Sequence, residues 1–177
     1  MTAGSADFAS DTQERPILVL GVGNVLLGDD GFGPALLEEL IVHNEENAPG
    51  VEFVDGGTQG LALLGLIANR RALVILDALD TGEVPGTVSV LAGLAEISGP
   101  KQRSCSAHES NAMELLSVAA LLGDLPDRLY VVGVQPESVC TRLGLSPAVQ
   151  KSIGPALEKT QQIVDQLVFE LAPAVEV

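Results

Sequence analysis

Short, continuous apolar runs alternate along this chain with longer segments in which apolar residues recur every three or four positions. The short runs predict five β-strands, at Ile17–Val22, Val51–Val54, Ala72–Leu76, Thr87–Leu91 and Leu129–Val134. The periodic segments predict helices at about Phe32–Asn44, Leu61–Asn69 and Ser110–Leu121, and a last long helix from Ser146 to about Leu171.

Pro and Gly residues refine these bounds. Pro34 falls in the first turn of its predicted helix, and Ser146-Pro147 has the pattern of an N-cap followed by the first helical residue. Gly154-Pro155 predicts a kink or a split in the last helix. The turn-rich segment 81–86 predicts a hairpin-like link that leaves one antiparallel strand at the sheet edge.

The alternation of strands and helices predicts a single three-layer α/β domain. Its core is a mostly parallel, five-stranded twisted sheet with helices on both faces, because right-handed crossovers place helices on either side of a parallel sheet. We expect this domain to cover residues 16–171, between a disordered N-terminal tail at 1–15 and a C-terminal tail at 172–177.

Composition narrows the functional classes. The 177 residues are 46 % hydrophobic without a Trp, which is typical of a buried sheet of Val, Leu, Ile and Ala. A net charge of −15 argues against nucleic-acid binding, which needs clustered Lys and Arg. Two cysteines, Cys105 and Cys140, are too few for a disulfide framework, and no apolar run reaches the roughly 20 residues of a membrane span. We therefore expect a cytoplasmic protein that binds neither nucleic acid nor membrane.

Acidic residues and a histidine follow successive strands of the predicted sheet. Asp29 and Asp30 come after the first strand, Asp55 after the second and Asp77 after the third, and His108 precedes the third predicted helix. Ligands of open α/β sheets collect at the carboxyl ends of the strands. These side chains are therefore predicted to share one rim. The other histidine, His43, ends a helical pattern, where a positive charge interacts favourably with the helix dipole.

The segment GVGNVLLGDDGFG, residues 21–33, first suggests a dinucleotide-binding turn. Aligning Gly21 and Gly23 with the first two glycines of GxGxxG puts Leu26 at the third, and the helix begins only near Phe32. Two carboxylates would also lie where a pyrophosphate needs backbone N–H groups. Nucleotide binding is therefore the weaker interpretation.

A metal site fits these residues better. Two carboxylates and one imidazole can hold a first-row divalent ion and leave positions open. Asp29 and Asp30 fit helix capping equally well, and Asp55 before Gly-Gly fits a turn better than a ligand. Asp77 ends a buried strand, where an unpaired carboxylate is unfavourable.

Cys105 and His108 could form a thiolate–imidazole pair, but such partners usually meet across a fold and not along one loop.

Five motifs together resemble the nickel-iron hydrogenase maturation endopeptidases. They are GVGNVLLGDDGFGP (21–34), DGGTQG (55–60), LVILDALDTGEVPGT (73–87), SAHE around His108 and LYVVGVQPESV (129–139). They follow the family's order with similar spacings, from Ile17 to about Leu167.

The resemblance implies a protease that removes a C-terminal extension from a [NiFe]-hydrogenase large-subunit precursor after nickel insertion. Carried over by position, the family's metal-contacting and catalytic residues are Asp30, Asp77 and His108, and the nickel comes with the precursor. Asp55, Gly56, Gly57 and Thr58 match a family loop that borders the substrate cleft.

The sequence leaves the cleavage mechanism and one alternative function open. The metal could polarise the scissile carbonyl or activate water, or it could position the substrate while an acid acts as general base. The alternative function is a non-catalytic metal-binding checkpoint or scaffold in metalloenzyme assembly. A monomer is the default expectation.

Overall fold

A computed structural model describes residues 15–44, 48–98, 103–104 and 112–172. Six strands lie within these ranges: β1 Ile17–Val22, β2 Val51–Gly57, β3 Ala72–Asp80, β4 Val88–Ala92, β5 Arg103–Ser104 and β6 Arg128–Val134. Most of the two predicted tails, residues 1–14 and 173–177, lies outside the described part of the chain.

The described helices are α1 Phe32–Asn44, α2 Leu64–Ile67, α3 Gly93–Ile97, α4 Ala112–Leu122, α5 Pro147–Gln150 and α6 Ile153–Leu171, with 3-10 turns at Asp29–Gly31 and Gly60–Leu63. The short α3 was not predicted. None of these helices combines the length and the apolar character that crossing a membrane would require.

Five strands form one continuous sheet in the order β2-β1-β3-β6-β4. The β2, β1, β3 and β6 strands run parallel, and β4 pairs antiparallel with β6 at one edge, which confirms the predicted mostly parallel, five-stranded sheet and its antiparallel edge strand. The two-residue β5, which was not predicted, pairs antiparallel with Leu79 and Asp80 at the end of β3.

Helices cover both faces of the sheet, as predicted. All six residues of β1 are buried, and alternate residues face opposite layers. Ile17 and Val19 pack in the core with α1, α5 and α6, whereas Leu18, Leu20 and Val22 pack in the core with α2, α3 and α4. The carboxyl end of β1 is therefore held from both sides.

Several predicted boundaries need correction. The second strand does not end at Val54 but continues to Gly57, because β1 still pairs with it at Asp55 and Gly57. The third strand does not end before Asp77: β6 continues to pair with it at Asp77 and Ala78, after β1 has ended its pairing at Leu76. The last helix breaks at Lys151-Ser152 and not at Gly154-Pro155, because Pro155 lies in the first turn of α6, where its missing N–H leaves no helical hydrogen bond unmade. The predicted cap is confirmed, since the Ser146 side chain accepts from the Val149 N–H.

Candidate functional site

The loop between β1 and α1 depends on a glycine at its start. Gly23 has φ 133°, and a Cβ atom there would lie 1.9 Å from the carbonyl oxygen of Asp30. The chain turns sharply at Asn24, whose Oδ1 accepts from the Leu26 N–H at 3.0 Å. This close return of the backbone brings residues 29–31 back to the end of β1.

Asp29 is fully buried and binds the loop that follows β6. Its Oδ2 accepts from the backbone N–H groups of Glu137 at 2.9 Å and Ser138 at 3.1 Å, and its Oδ1 accepts from that of Ser146 at 2.6 Å. Burial by itself raises the pKa of Asp29, but these hydrogen bonds outweigh it and leave the pKa below its usual 3.8. Asp29 therefore joins two loops, and the helix-capping interpretation is wrong for this residue.

Asp30 lies in the same 3-10 turn and takes a different environment. It is 2 % exposed, and its Oδ2 accepts from the Asn24 N–H at 2.8 Å. Its negative charge is near enough to raise the pKa of Asp77 on the neighbouring strand. The loop thus sends one carboxylate towards the β6 loop and the next towards β3.

Asp77 is a buried acid in an unfavourable environment. It is 3 % exposed, and its Oδ1 accepts from the Ala78 N–H at 2.8 Å. Burial is the main cause that raises the pKa of Asp77 to about 8; the charge of Asp30 adds to the rise, and the Ala78 and Ala112 N–H groups oppose it. Within the described residues Oδ2 has no partner at hydrogen-bonding geometry, although the Ala112 N–H is near enough to affect the pKa.

Two buried carboxyl groups whose ionised forms repel each other can hold a cation. A divalent ion placed beside them would offset both the burial penalty and the Asp30–Asp77 repulsion, so the pair fits the predicted metal site. The third predicted ligand, His108, lies outside the described residues, as do Cys105 and Glu109. The described part of the chain contains no group of three metal-binding side chains.

The loop at 55–58 borders a small cleft that also contains Asn24, the donor to Asp30. Gly23, Asn24, Val25 and Pro34 line one side, and Asp55, Gly57 and Thr58 the other, around a volume of about 180 Å³. Asp55 is exposed, and its Oδ1 accepts from the Gly57 N–H at 3.0 Å, in agreement with its predicted turn role.

The two glycines of this loop differ. Gly56 faces the core, where an added Cβ would lie 2.9 Å from side-chain atoms of Leu20 and Leu63. Gly57 has φ 46° and lines the cleft. Three of the four residues in the predicted substrate loop therefore border the cleft, and Gly56 supports the packing beneath it.

Sequence reasoning missed the loop after β6 as a structural partner of the site. Its backbone pairs with the first loop through Gly28 N to Arg142 O at 2.9 Å and Arg142 N to Leu26 O at 3.0 Å. The available signal was the polar segment after β6, Gln135–Ser138, because the carboxyl end of β6 lies at the same rim.

Comparisons with known proteins give the family. The model of the family described as "HycI: Hydrogenase maturation protease" matches residues 34–163. The chain is 38 % identical over 159 residues to the "Hydrogenase 2 maturation protease" of Escherichia coli K12, covering 89 % of this chain and 95 % of that protein. It is 37 % identical over 153 residues to the "Hydrogenase expression/formation protein HupD" of Thiocapsa roseopersicina, covering 85 % and 68 % of the two chains.

Solved structures agree in fold. The hydrogenase-maturating endopeptidase HybD from E. coli superposes with a TM-score of 0.72 at 38 % identity, over 85 % of this chain and 92 % of that one. The [NiFe] hydrogenase maturation protease HybD from Thermococcus kodakarensis gives a TM-score of 0.66 at 26 % identity, over 84 % and 98 %. The chain therefore belongs to the family of hydrogenase maturation proteases and is a hydrolase.

Proposed function

We propose that this protease removes a C-terminal extension from a [NiFe]-hydrogenase large-subunit precursor once that precursor carries nickel. In this proposal Asp30, Asp77 and His108 contact the precursor's nickel and form the catalytic site. The reaction would take place in the cytoplasm. The protease would need no metal of its own, because the ion arrives with the substrate.

The carrying observation is the buried pair of Asp30 and Asp77 at the carboxyl ends of β1 and β3. An acid that served stability alone would be expected to have its charge met by donors, as the charge of Asp29 is met by three N–H groups, whereas Oδ2 of Asp77 has no partner at hydrogen-bonding geometry within the described residues. The pKa of Asp77, raised to about 8, instead indicates a carboxyl group that binds a proton at neutral pH until a cation replaces it.

The residues of this chain would bind the substrate peptide and accept a proton during its cleavage. A divalent ion, when bound, can polarise a peptide carbonyl or lower the pKa of water. The residues at 55–58 would orient the peptide in the cleft, and an acid of the site would accept the proton of the attacking water. In the alternative, non-catalytic role, the same residues would bind the loaded precursor without cleaving it.

The test is mass spectrometry of the large-subunit precursor, nickel-loaded and nickel-free, after incubation with the wild-type chain and with Asp30→Asn or Asp77→Asn. We expect loss of a C-terminal peptide only from the loaded precursor and only with the wild-type chain. Asp165→Asn is the matched control: it removes an acidic charge on α6, and an amide oxygen can still accept from Gln161 Nε2.

Each outcome separates the alternatives. Cleavage of the nickel-free precursor at the same rate would contradict the nickel requirement. Binding of a competent precursor without any change of mass would favour the non-catalytic checkpoint. Unchanged cleavage by both Asn variants would remove Asp30 and Asp77 from the catalytic site.

A further inference from the structure

The outer face of α1 carries an apolar groove that no residue in the described part of the chain fills. Phe32, Leu36, Leu37 and Leu40 face the sheet and are buried. Ile41 and Val42, in the last turn of the helix, are 41 % and 64 % exposed. A helix of a soluble domain usually has one apolar stripe, so a second one indicates a surface that contacts something else.

The groove has a volume of about 410 Å³ and shares part of its lining with the small cleft. Its walls are Val25, Pro34, Ala35, Leu37, Glu38, Ile41, Val42 and Asp55. Val25, Pro34 and Asp55 also line the smaller cleft, and that cleft contains Asn24, the donor to Asp30. The groove therefore continues the cleft away from Asp30 and along α1.

The dimensions fit an extended peptide. From Pro34 to Val42 the axis of α1 rises about 12 Å, at about 1.5 Å for each residue. An extended chain covers about 3.3 Å for each residue, so the groove matches three or four residues of peptide.

The charges select the kind of peptide. Two acidic side chains, Glu38 and Asp55, stand in the walls of a groove that is otherwise apolar, on a chain with 24 acidic and nine basic residues. A second copy of this acidic chain would bring like charge to the groove. A segment with an aliphatic side chain next to Lys or Arg would fill the apolar floor and meet Glu38 and Asp55.

We propose that this groove binds a three- or four-residue stretch of the large-subunit precursor that carries an aliphatic residue beside a basic one. The inference rests on the proposed function for the identity of the occupant. It assigns the outer face of α1 to substrate selection, beyond the end of the smaller cleft.

The experiment measures binding and cleavage separately, with the nickel-loaded precursor as the probe. Binding is measured with Asp77→Asn, which is expected not to cleave, alone and combined with Val42→Asp or Glu38→Lys. The control is Leu121→Asp, an equally drastic change at an 88 % exposed position on α4, on the other face of the sheet. Val42, Glu38 and Leu121 are exposed, so the Tm of each variant should stay near that of its parent chain.

We expect Val42→Asp to raise the Kd by about tenfold or more, since an aliphatic contact of this size is lost. Glu38→Lys should raise the Kd too, and the difference should shrink at high salt. In the cleaving chain both changes should raise KM and leave kcat near its starting value, because neither Val42 nor Glu38 lines the smaller cleft. Leu121→Asp should change neither constant.

The groove and the proposed function fail in different ways. Wild-type cleavage together with an unchanged KM in Val42→Asp and Glu38→Lys would overturn the groove and leave the protease function intact. Weaker binding in both variants without cleavage by the wild-type chain would support the groove and reject the function. Concentration-dependent dimerisation that Val42→Asp abolishes would assign the groove to a second copy and overturn the inference.

Discussion

Replacing Asp29 by Asn tests whether this carboxylate joins the two loops that build the site. The carboxylate accepts three backbone hydrogen bonds, one on Oδ1 and two on Oδ2, from residues 108 to 117 positions further along the chain. An amide offers one acceptor oxygen, and its NH₂ group must then face a backbone N–H. At least one of these donors therefore loses its partner.

The expected loss of stability follows from these contacts. The N–H of Ser146 belongs to a fully buried residue, so water cannot replace a lost acceptor there. Losing one charge-assisted hydrogen bond and leaving a buried donor unsatisfied destabilises a protein by about 3 kcal/mol. For a chain of this size that is a fall in Tm of about 6–12 °C, out of a total stability of about 5–15 kcal/mol.

Denaturant and thermal unfolding of Asp29→Asn, with Asp55→Asn beside it, provide the measurement. Asp55 is exposed and makes one hydrogen bond, to the Gly57 N–H, which an amide oxygen can also accept, so this control should stay within about 0.5 kcal/mol of wild type. Because the pKa of Asp29 lies below 3.8, the stability from its charge is present above that value and is lost as the pH falls through the lowered pKa. The defect of Asp29→Asn should therefore shrink in strong acid. A defect below about 0.5 kcal/mol at pH 7 would refute the role given to these hydrogen bonds.

Three further predictions concern other buried residues, one of them in the candidate site. The pKa of Asp77 is raised to about 8, so the folded carboxyl is protonated where the unfolded one is ionised, and metal-free wild type should lose about 1.4 kcal/mol for each pH unit between about 4 and 8. Asp77→Asn should remove that loss, so its advantage in chelator-treated urea titrations should grow from pH 5 to pH 8. Gly33→Ala should destabilise by about 3 kcal/mol in the same assay, because a Cβ would lie 2.3 Å from the carbonyl oxygen of Leu76, whereas Gly65→Ala, with nothing within 4 Å, should be neutral or stabilising. Arg70→Ala should lower stability by about 3 kcal/mol, measured by thermal unfolding, because it leaves Glu52 without its buried partner.

The sequence predicted the sheet and the meeting of Asp30 with Asp77 for the same reason. The strand β1 is a wholly buried apolar run, and parallel strands of that kind bring their carboxyl ends to one rim. With β1 and β3 adjacent, the residues that follow β1 and those at the end of the shared β1–β3 pairing have to be neighbours. Local patterns were enough to place both acids at one rim, and the pairing of β1 with β3, which no local pattern predicts, brings them together.

Other features could not be predicted, because they depend on residues distant in sequence. The partners of Asp29 lie beyond β6, and no local pattern distinguishes an acid that binds them from one that caps a helix. The continuation of β3 through Asp77 depends on β6 supplying hydrogen bonds after β1 has ended. The segment after β2 has helical periodicity, yet it forms a 3-10 turn and a single α-turn that end before Asn69, where φ is 65°.

The loop after β1 resembles a dinucleotide-binding turn in its position between a strand and a helix, but it differs in where its glycines and its negative charges lie. In a dinucleotide-binding turn the third glycine lets the helix pack closely on the strand, and the helix N-terminus meets a phosphate. Here Leu26 occupies that position and is 56 % exposed, while Gly33, inside α1, makes the close contact with the sheet. The negative charge ahead of the helix belongs to the chain itself, as Asp29 and Asp30.

Asp29 and Asp30 are adjacent in sequence but have different roles. Asp29 stabilises the fold, whereas Asp30 belongs to the proposed catalytic site. The charge of Asp29 is met by three N–H groups, and the pKa of Asp29 falls. Asp30 adds its charge to the surroundings of Asp77, a carboxyl group already penalised by burial, and the pKa of Asp77 rises. The same fold that stabilises one buried carboxylate with three donors keeps the Asp77 carboxyl group protonated at neutral pH, and a cation bound there would stabilise its ionised form.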